Sequence, residues 1–210
     1  MSGPEPDLVL ASASPRRLEL LSRLGLVPEV QAADINECWH PSEPADDYVV
    51  RMATEKALTV AGEGRRKGDP ALTRNALAIL GADTAVILDG EPLGKPADNE
   101  YAREMLTALS GRSHRVRTAV CVVGMKGEQS IQFAEAKVRF VEISEAEIEW
   151  YIQSGEPSGC AGAYAIQGAG AAFVEEIAGD PTTVIGLPLR LAANMLNSVG
   201  VRTNLGKGAD

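Results

Sequence analysis

The segment Ser12-Ala13-Ser14-Pro15-Arg16-Arg17 sets two hydroxyls and two guanidiniums ahead of a helical pattern. Unpaired amides at a helix start, with Arg forks beside them, make a natural seat for a phosphate. The same residues read equally as a Ser-capped helix with solvated arginines. Asp83 is a second candidate, because it interrupts an apolar stretch at Gly81-Ala82-Asp83-Thr84. A carboxylate inside such a stretch needs a partner, and carboxylates so placed often act as metal ligands or bases. A backbone cap or one lysine would also satisfy it.

Asp34 and Glu37 stand three apart in a polar loop and offer oxygens suited to a hard cation such as Mg²⁺, although in isolation they read as solvated. Lys95 lies between Gly94 and Pro96, two neighbours that restrict the backbone, whereas Lys56 alone reads as an ordinary helix-surface residue. Gln167 sits among small residues in Ala163-Tyr164-Ala165-Ile166-Gln167-Gly168-Ala169-Gly170, where a flat base could come close. The Gly168-Ala169-Gly170 fragment lacks the third glycine and the following helix of a dinucleotide fingerprint. His40 and His114 have no Cys or Ser at a diagnostic spacing, so both read as structural and no hydrolytic triad assembles.

Periodicity and punctuation give the strands and helices around these residues. Residues 8–11 read as a buried strand, a helix starts at Arg16 and ends near Gly25, and 27–32 form a second strand. A polar loop over 33–46 precedes a helix capped by Asp46 or Asp47 and running to about Ala61. Residues 62–74, Gly-rich and charged, read as a surface insertion. Then come a central strand over 77–88, a turn over 90–96, a helix over 99–109 and a hairpin of 115–125 with 131–141. Ser144 and Glu147 form a capping box for a helix to about Ser154, followed by an irregular 155–170, a strand over 172–177 and a last helix over 187–198. Residues 1–6 and 203–210 read as loose ends.

With 210 residues and 45% apolar content the chain supports one domain over 1–210, with room for two lobes around a cleft. Aromatic residues are only 4%, which favours α/β over a β-sandwich. The net charge of −9 argues against nucleic acid or an anionic membrane as partner, and a small anionic ligand would need a local basic cluster or a bound cation. Cys38, Cys121 and Cys160 are scattered, which predicts neither disulfides nor a zinc site and fits the cytosol. No leader pattern and no apolar run near the roughly 20 residues of a membrane span is visible.

Taken together, LASASPRR at 10–17, GADTAV at 81–86, LGKP at 93–96, LSGRSHRVRT at 109–118, AGAYAIQG at 161–168 and GLPL at 186–189 resemble the Maf family of nucleotide pyrophosphatases, in order and spacing. The resemblance spans nearly the whole chain, 8–200. It implies a mixed α/β fold with an elongated, curved sheet like that of inosine triphosphatases, two lobes around a central cleft, and frequent homodimerisation. It further implies a divalent cation, Mg²⁺ or Mn²⁺, held by Glu37 and Asp83, with Asp83 as the catalytic base. Ser12, Ser14, Arg16, Arg17, Lys56 and Lys95 would surround the triphosphate of a nucleoside triphosphate. Arg16, Thr84 and Gln167 are at the positions that set base choice, and their combination resembles the dTTP and UTP branch over the 7-methyl-GTP branch. Cys160 departs from the family, standing where many relatives carry Lys. Two other readings stay open: a non-catalytic nucleotide-binding regulator of cell division, and a phosphatase that removes only the γ-phosphate.

Overall fold

The computed structural model describes residues 7–67 and 76–206 and folds them as a mixed seven-stranded sheet with helices on both faces. The strands are β1 (Leu8–Leu10), β2 (Glu29–Val30), β3 (Ala78–Leu88), β4 (Glu91–Leu93), β5 (Ser113–Gly124), β6 (Gln129–Phe140) and β7 (Val174–Ala178). Their order is β2-β1-β3-β5-β6-β7, with β4 also on β3. β1 runs parallel to β2 and β3, and every other pair is antiparallel. The helices are α1 (Pro15–Arg23), α2 (Ala45–Lys67), α3 (Asn99–Leu109), α4 (Glu145–Gln153), α5 (Pro181–Ile185) and α6 (Leu189–Ser198).

β3, β5 and β6 hold 11, 12 and 12 residues, about twice the usual strand length, so two cores share one face of the sheet. Because side chains alternate between faces, the even-numbered positions of β3 and β5 point the same way. Leu80, Ala82, Val120 and Val122 pack with Leu20 and Leu21 of α1 and Leu196 of α6. Val86, Leu88 and Val116 pack with Leu106 of α3 and Tyr151 of α4. Thr84 and Thr118, paired across the strands, fall between the two cores, so the sheet carries two lobes with a polar break at Thr84.

The other face carries α2, whose Ala53 and Ala57 pack on Ala85, Ala119 and Cys121. The approach is close enough to require glycine beneath it: a Cβ on Gly81 would lie 2.4 Å from the Ala53 carbonyl oxygen and 2.7 Å from the Ala57 nitrogen. This packing brings Lys56, on the same helix, over Asp83.

One edge of β3 is interrupted. β1 covers it at 78–80 and β4 at 86–88, both opposite β5, so among the described residues 81–85 have no strand neighbour on that side. Asp83 and Thr84 lie in this notch, pointing to opposite faces.

Several expectations need correction. The second strand shrinks from 27–32 to Glu29–Val30. α2 starts at Ala45, with Asp46 and Asp47 in its first turn, and continues to Lys67, so residues 62–67 are helical where a surface insertion was expected. Residues 68–74 of that insertion and the ends 1–6 and 207–210 lie outside the described residues. The turn over 90–96 contains β4, and α5 was not foreseen. The expected loose end at 203–206 is ordered: Thr203 is buried and bonded to Asn197, and Asn204–Gly206 forms a 3-10 turn. No helix among the described residues is long and apolar enough to cross a membrane.

Candidate active site

The notch in β3 opens into a cleft of about 770 Å³. Ser12, Ser14, Arg16, Arg17, Glu37, Lys56, Asp83, Thr84, Lys95 and Gln167 all line it, so these ten of the residues singled out in the sequence meet in one place. Asp34 does not line it and is exposed. Among the described residues the charged lining is four cations (Arg16, Arg17, Lys56, Lys95) and two carboxylates (Glu37, Asp83), a local excess of two positive charges in a chain of net −9.

The loop 12–17 is built as its residue types dictate. Ser14 caps α1 by accepting from the Arg17 amide, and Pro15 occupies the first turn, where its missing N–H costs nothing. Ser12 Oγ accepts from the Ser14 amide at 3.2 Å and from Arg17 Nη1 at 3.0 Å. Arg17 also donates to the Gly186 carbonyl at 3.0 Å and to Thr84 Oγ1 at 3.2 Å. It is therefore a buried guanidinium whose direct partners among the described residues are neutral, and burial pushes its pKa down despite the nearby Asp83. A buried charge with neutral partners favours an anionic ligand.

Threonines orient this guanidinium. Thr118 donates to the Thr183 carbonyl at 2.7 Å, which leaves its oxygen to accept the Thr84 hydroxyl at 2.9 Å. The Thr84 oxygen thus presents only lone pairs toward Arg17.

On the opposite wall the Lys56 ammonium lies 2.6 Å from Glu37 Oε1 and 2.7 Å from Asp83 Oδ1. Lys56 is buried, not a surface residue as its sequence context suggested, because the close packing at Gly81 carries it into the cleft. Burial pushes the Glu37 carboxyl up, but the Lys56 hydrogen bond and charge outweigh it, with Lys95 and Arg17 adding, and hold it below the ordinary range. Tyr48 anchors the Glu37 loop by donating to the Glu37 carbonyl at 3.0 Å, and burial, aided by Asp83 and Glu37, pushes its phenol up to about 12.

Arg16 spans the cleft mouth, donating to Cys160 Sγ at 3.0 Å and to the Gly159 carbonyl at 3.4 Å. Cys160 Sγ thus accepts from Arg16, a role a lysine ammonium could not fill. All three cysteines are free. His40 is exposed, and His114 is buried against Phe140 and hydrogen-bonded to Tyr164 at 2.7 Å. Lys95 and Gln167 line the cleft without a hydrogen bond or ion pair to any described residue. Trp39, Tyr48 and Tyr164 also line it and were missed. Their one signal was aromatic residues in or beside polar and Gly-rich stretches of a chain poor in aromatics.

Fold and cleft together define a mixed α/β protein with a cationic cleft in its sheet, two carboxylates set among the cations. The Maf-like protein family model matches residues 7–199, and the chain belongs to this family. Relatives include the dTTP/UTP pyrophosphatase of Anaeromyxobacter dehalogenans, 48% identical over 93% of this chain and 95% of the relative. That of Myxococcus xanthus is 45% identical over 96% of each chain, and that of Hahella chejuensis 44% identical over 93% of each. Among solved structures, a HAM1 protein from Coxiella burnetii overlaps 63% of this chain and 72% of its own at a TM-score of 0.39 and 19% identity.

Proposed function

We propose that this chain is a nucleoside triphosphate pyrophosphatase that hydrolyses dTTP and UTP to the monophosphate and pyrophosphate. The observation that carries the reading is the pairing of the buried, neutrally partnered Arg17 with the Glu37–Lys56–Asp83 cluster across one cleft. The names of the relatives, which this chain matches along nearly their full length, supply the nucleotides.

The residues present suit a divalent cation. Glu37 Oε1 and Asp83 Oδ1 converge on a single positive group, and both are hard oxygens of the kind Mg²⁺ and Mn²⁺ take. No cluster of three or more His, Cys, Asp or Glu suited to a metal occurs among the described residues, so the two carboxylates make a partial donor set that phosphate oxygens and water would complete. Glu37 and Asp83 would hold the cation, which supplies charge neutralisation at the phosphates.

Asp83 orients and deprotonates the attacking water, because it is the carboxylate at the centre of the notch. Arg16, Arg17 and Lys95 take up charge on the departing pyrophosphate, and positioned donors of this kind are strongest in a site that excludes water. Ser12 and Thr84 keep Arg17 aimed inward, and Lys56 holds the two carboxylates together. Gln167 faces the base. A homodimer in the cytosol completes the reading, with sedimentation of the purified protein as its check.

Incubation of the protein with dTTP, UTP, CTP, GTP and 7-methyl-GTP, with Mg²⁺ or Mn²⁺, and chromatography of the products tests the proposal. The expected result is dTMP or UMP with pyrophosphate, and a loss of about 10² to 10⁴ in kcat for Asp83→Asn. Orthophosphate in place of pyrophosphate would mean removal of the γ-phosphate. Tight binding without turnover would mean a sensor.

A further inference from the structure

The Gly168-Ala169-Gly170 fragment, which failed as a dinucleotide fingerprint, has another use. Segment 165–170 carries Gln167 into the cleft and is held at both ends by the same pair of side chains. At one end the Ala165 amide donates to Tyr151 Oη at 3.1 Å. At the other, the Ala169 amide donates to Glu156 Oε2 at 2.9 Å and the Gly170 amide to Glu156 Oε1 at 3.0 Å. Tyr151 Oη donates to Glu156 Oε1 at 2.8 Å, which closes the frame and aims the phenol's lone pair at Ala165. Tyr151 is fully buried under the second core, so the frame is fixed to the lobe and not to the loop itself.

The two glycines permit this contact. A Cβ on Gly168 would lie 2.2 Å from Glu156 Oε2, and one on Gly170 2.6 Å from Tyr151 Oη. Gln167 stands midway between the anchored amides with its own amide uncommitted. Neither Glu156 nor Tyr151 lines the cleft, so neither reaches the phosphates.

We propose that Glu156, braced by Tyr151, is a positioning residue for base selection: it fixes the loop that presents Gln167. The inference rests on the reading of Gln167 as the base-facing amide. Both Glu156 oxygens accept from backbone N–H groups, so a carboxamide at this place must turn its NH₂ against one of them. Glu156→Gln is therefore close to isosteric yet breaks the frame. Tyr151→Phe removes the brace and the Ala165 anchor but leaves both Glu156 bonds to the loop.

The test uses equilibrium binding of a non-hydrolysable α,β-methylene dTTP analogue and of inorganic tripolyphosphate, which has no base, alongside dTTP turnover. Glu156→Gln should bind the analogue about tenfold more weakly, as loss of one part-buried hydrogen-bond set implies. It should raise KM for dTTP in step, leave kcat within about twofold, and bind tripolyphosphate as the parent does. Tyr151→Phe should shift the same readouts in the same direction by less. In a Gln167→Ala background, Glu156→Gln should add less than about twofold, because the residue through which it acts is gone. Unchanged analogue binding, equal weakening of tripolyphosphate, a fall in kcat at constant KM, or additive effects of the two substitutions would each overturn the proposal. A parent that binds the analogue but does not hydrolyse dTTP would sink the hydrolase reading alone, and the binding cycle would still decide this one.

Discussion

Lys56→Met keeps most of the aliphatic stem in the α2 packing and deletes the ammonium that Glu37 and Asp83 share. The side chains of Lys56 and Asp83 are 9% and 13% exposed, so the Asp83 arm is a buried pair, and stripping its partner approaches the ~3 to 5 kcal/mol cost of such a break. The Glu37 side chain is 47% exposed, so solvent screens its arm, which adds less than about 1 kcal/mol. Arg17 stays near Asp83 and offsets part of the loss, which leaves about 3 kcal/mol. At ~2 to 4 °C per kcal/mol for a chain of this size, Tm in chelator should fall by about 6 to 12 °C. The variant also offers a divalent cation two carboxylates with no competing ammonium, so excess Mg²⁺ should raise its Tm more than the parent's. Scanning calorimetry of both proteins, in chelator and in Mg²⁺, measures this. A drop under about 2 °C would refute the buried-pair reasoning, and a Mg²⁺ shift no larger than the parent's would refute the shared place of ammonium and cation.

Gln167→Glu should lower kcat/KM for dTTP and UTP by about 1 to 3 kcal/mol, because a carboxylate accepts but cannot donate to the uracil or thymine edge. Activity on 7-methyl-GTP should fall less or rise, and an unchanged preference in steady-state kinetics would remove Gln167 from base reading. Burial lowers the His114 pKa to about 4 from an ordinary 6.5, so the folded state resists a proton that the unfolded chain accepts. The stability this gives is complete above about pH 6.5 and is lost as pH falls toward 4, to a limit of about 3 kcal/mol. Urea unfolding at pH 7 and pH 5 should show a fall that His114→Gln largely abolishes, and an equal fall in the variant would contradict it.

The parts of the site legible in the sequence are those whose chemistry is local. Ser14 caps the helix at its own start, and Asp83 stands out because a charge inside an apolar strand demands a partner. The identity of that partner was hidden, since Lys56 is 27 residues away and reads as a surface lysine until Gly81 lets α2 come close. β4 is three residues long and contains Pro92, which reads as a turn, and only its pairing with 86–88 shows that it closes one side of the notch. α5 spans five residues, too few for a periodic signal, although Asp180 before Pro181 is a recognisable start. Glu156 gave no sign because, Tyr151 apart, its partners are backbone amides 13 and 14 residues on, and backbone groups leave no trace in a residue pattern.

In the proposed reaction this cleft directs water at the α-phosphorus of a nucleoside triphosphate. Hydrolysis of dTTP in ¹⁸O-water, with mass analysis of both products, locates the attack. Attack at the α-phosphorus puts one solvent oxygen in dTMP and none in pyrophosphate, whereas label in pyrophosphate would place the attack at the β-phosphorus and contradict the roles proposed for Asp83 and the cationic wall.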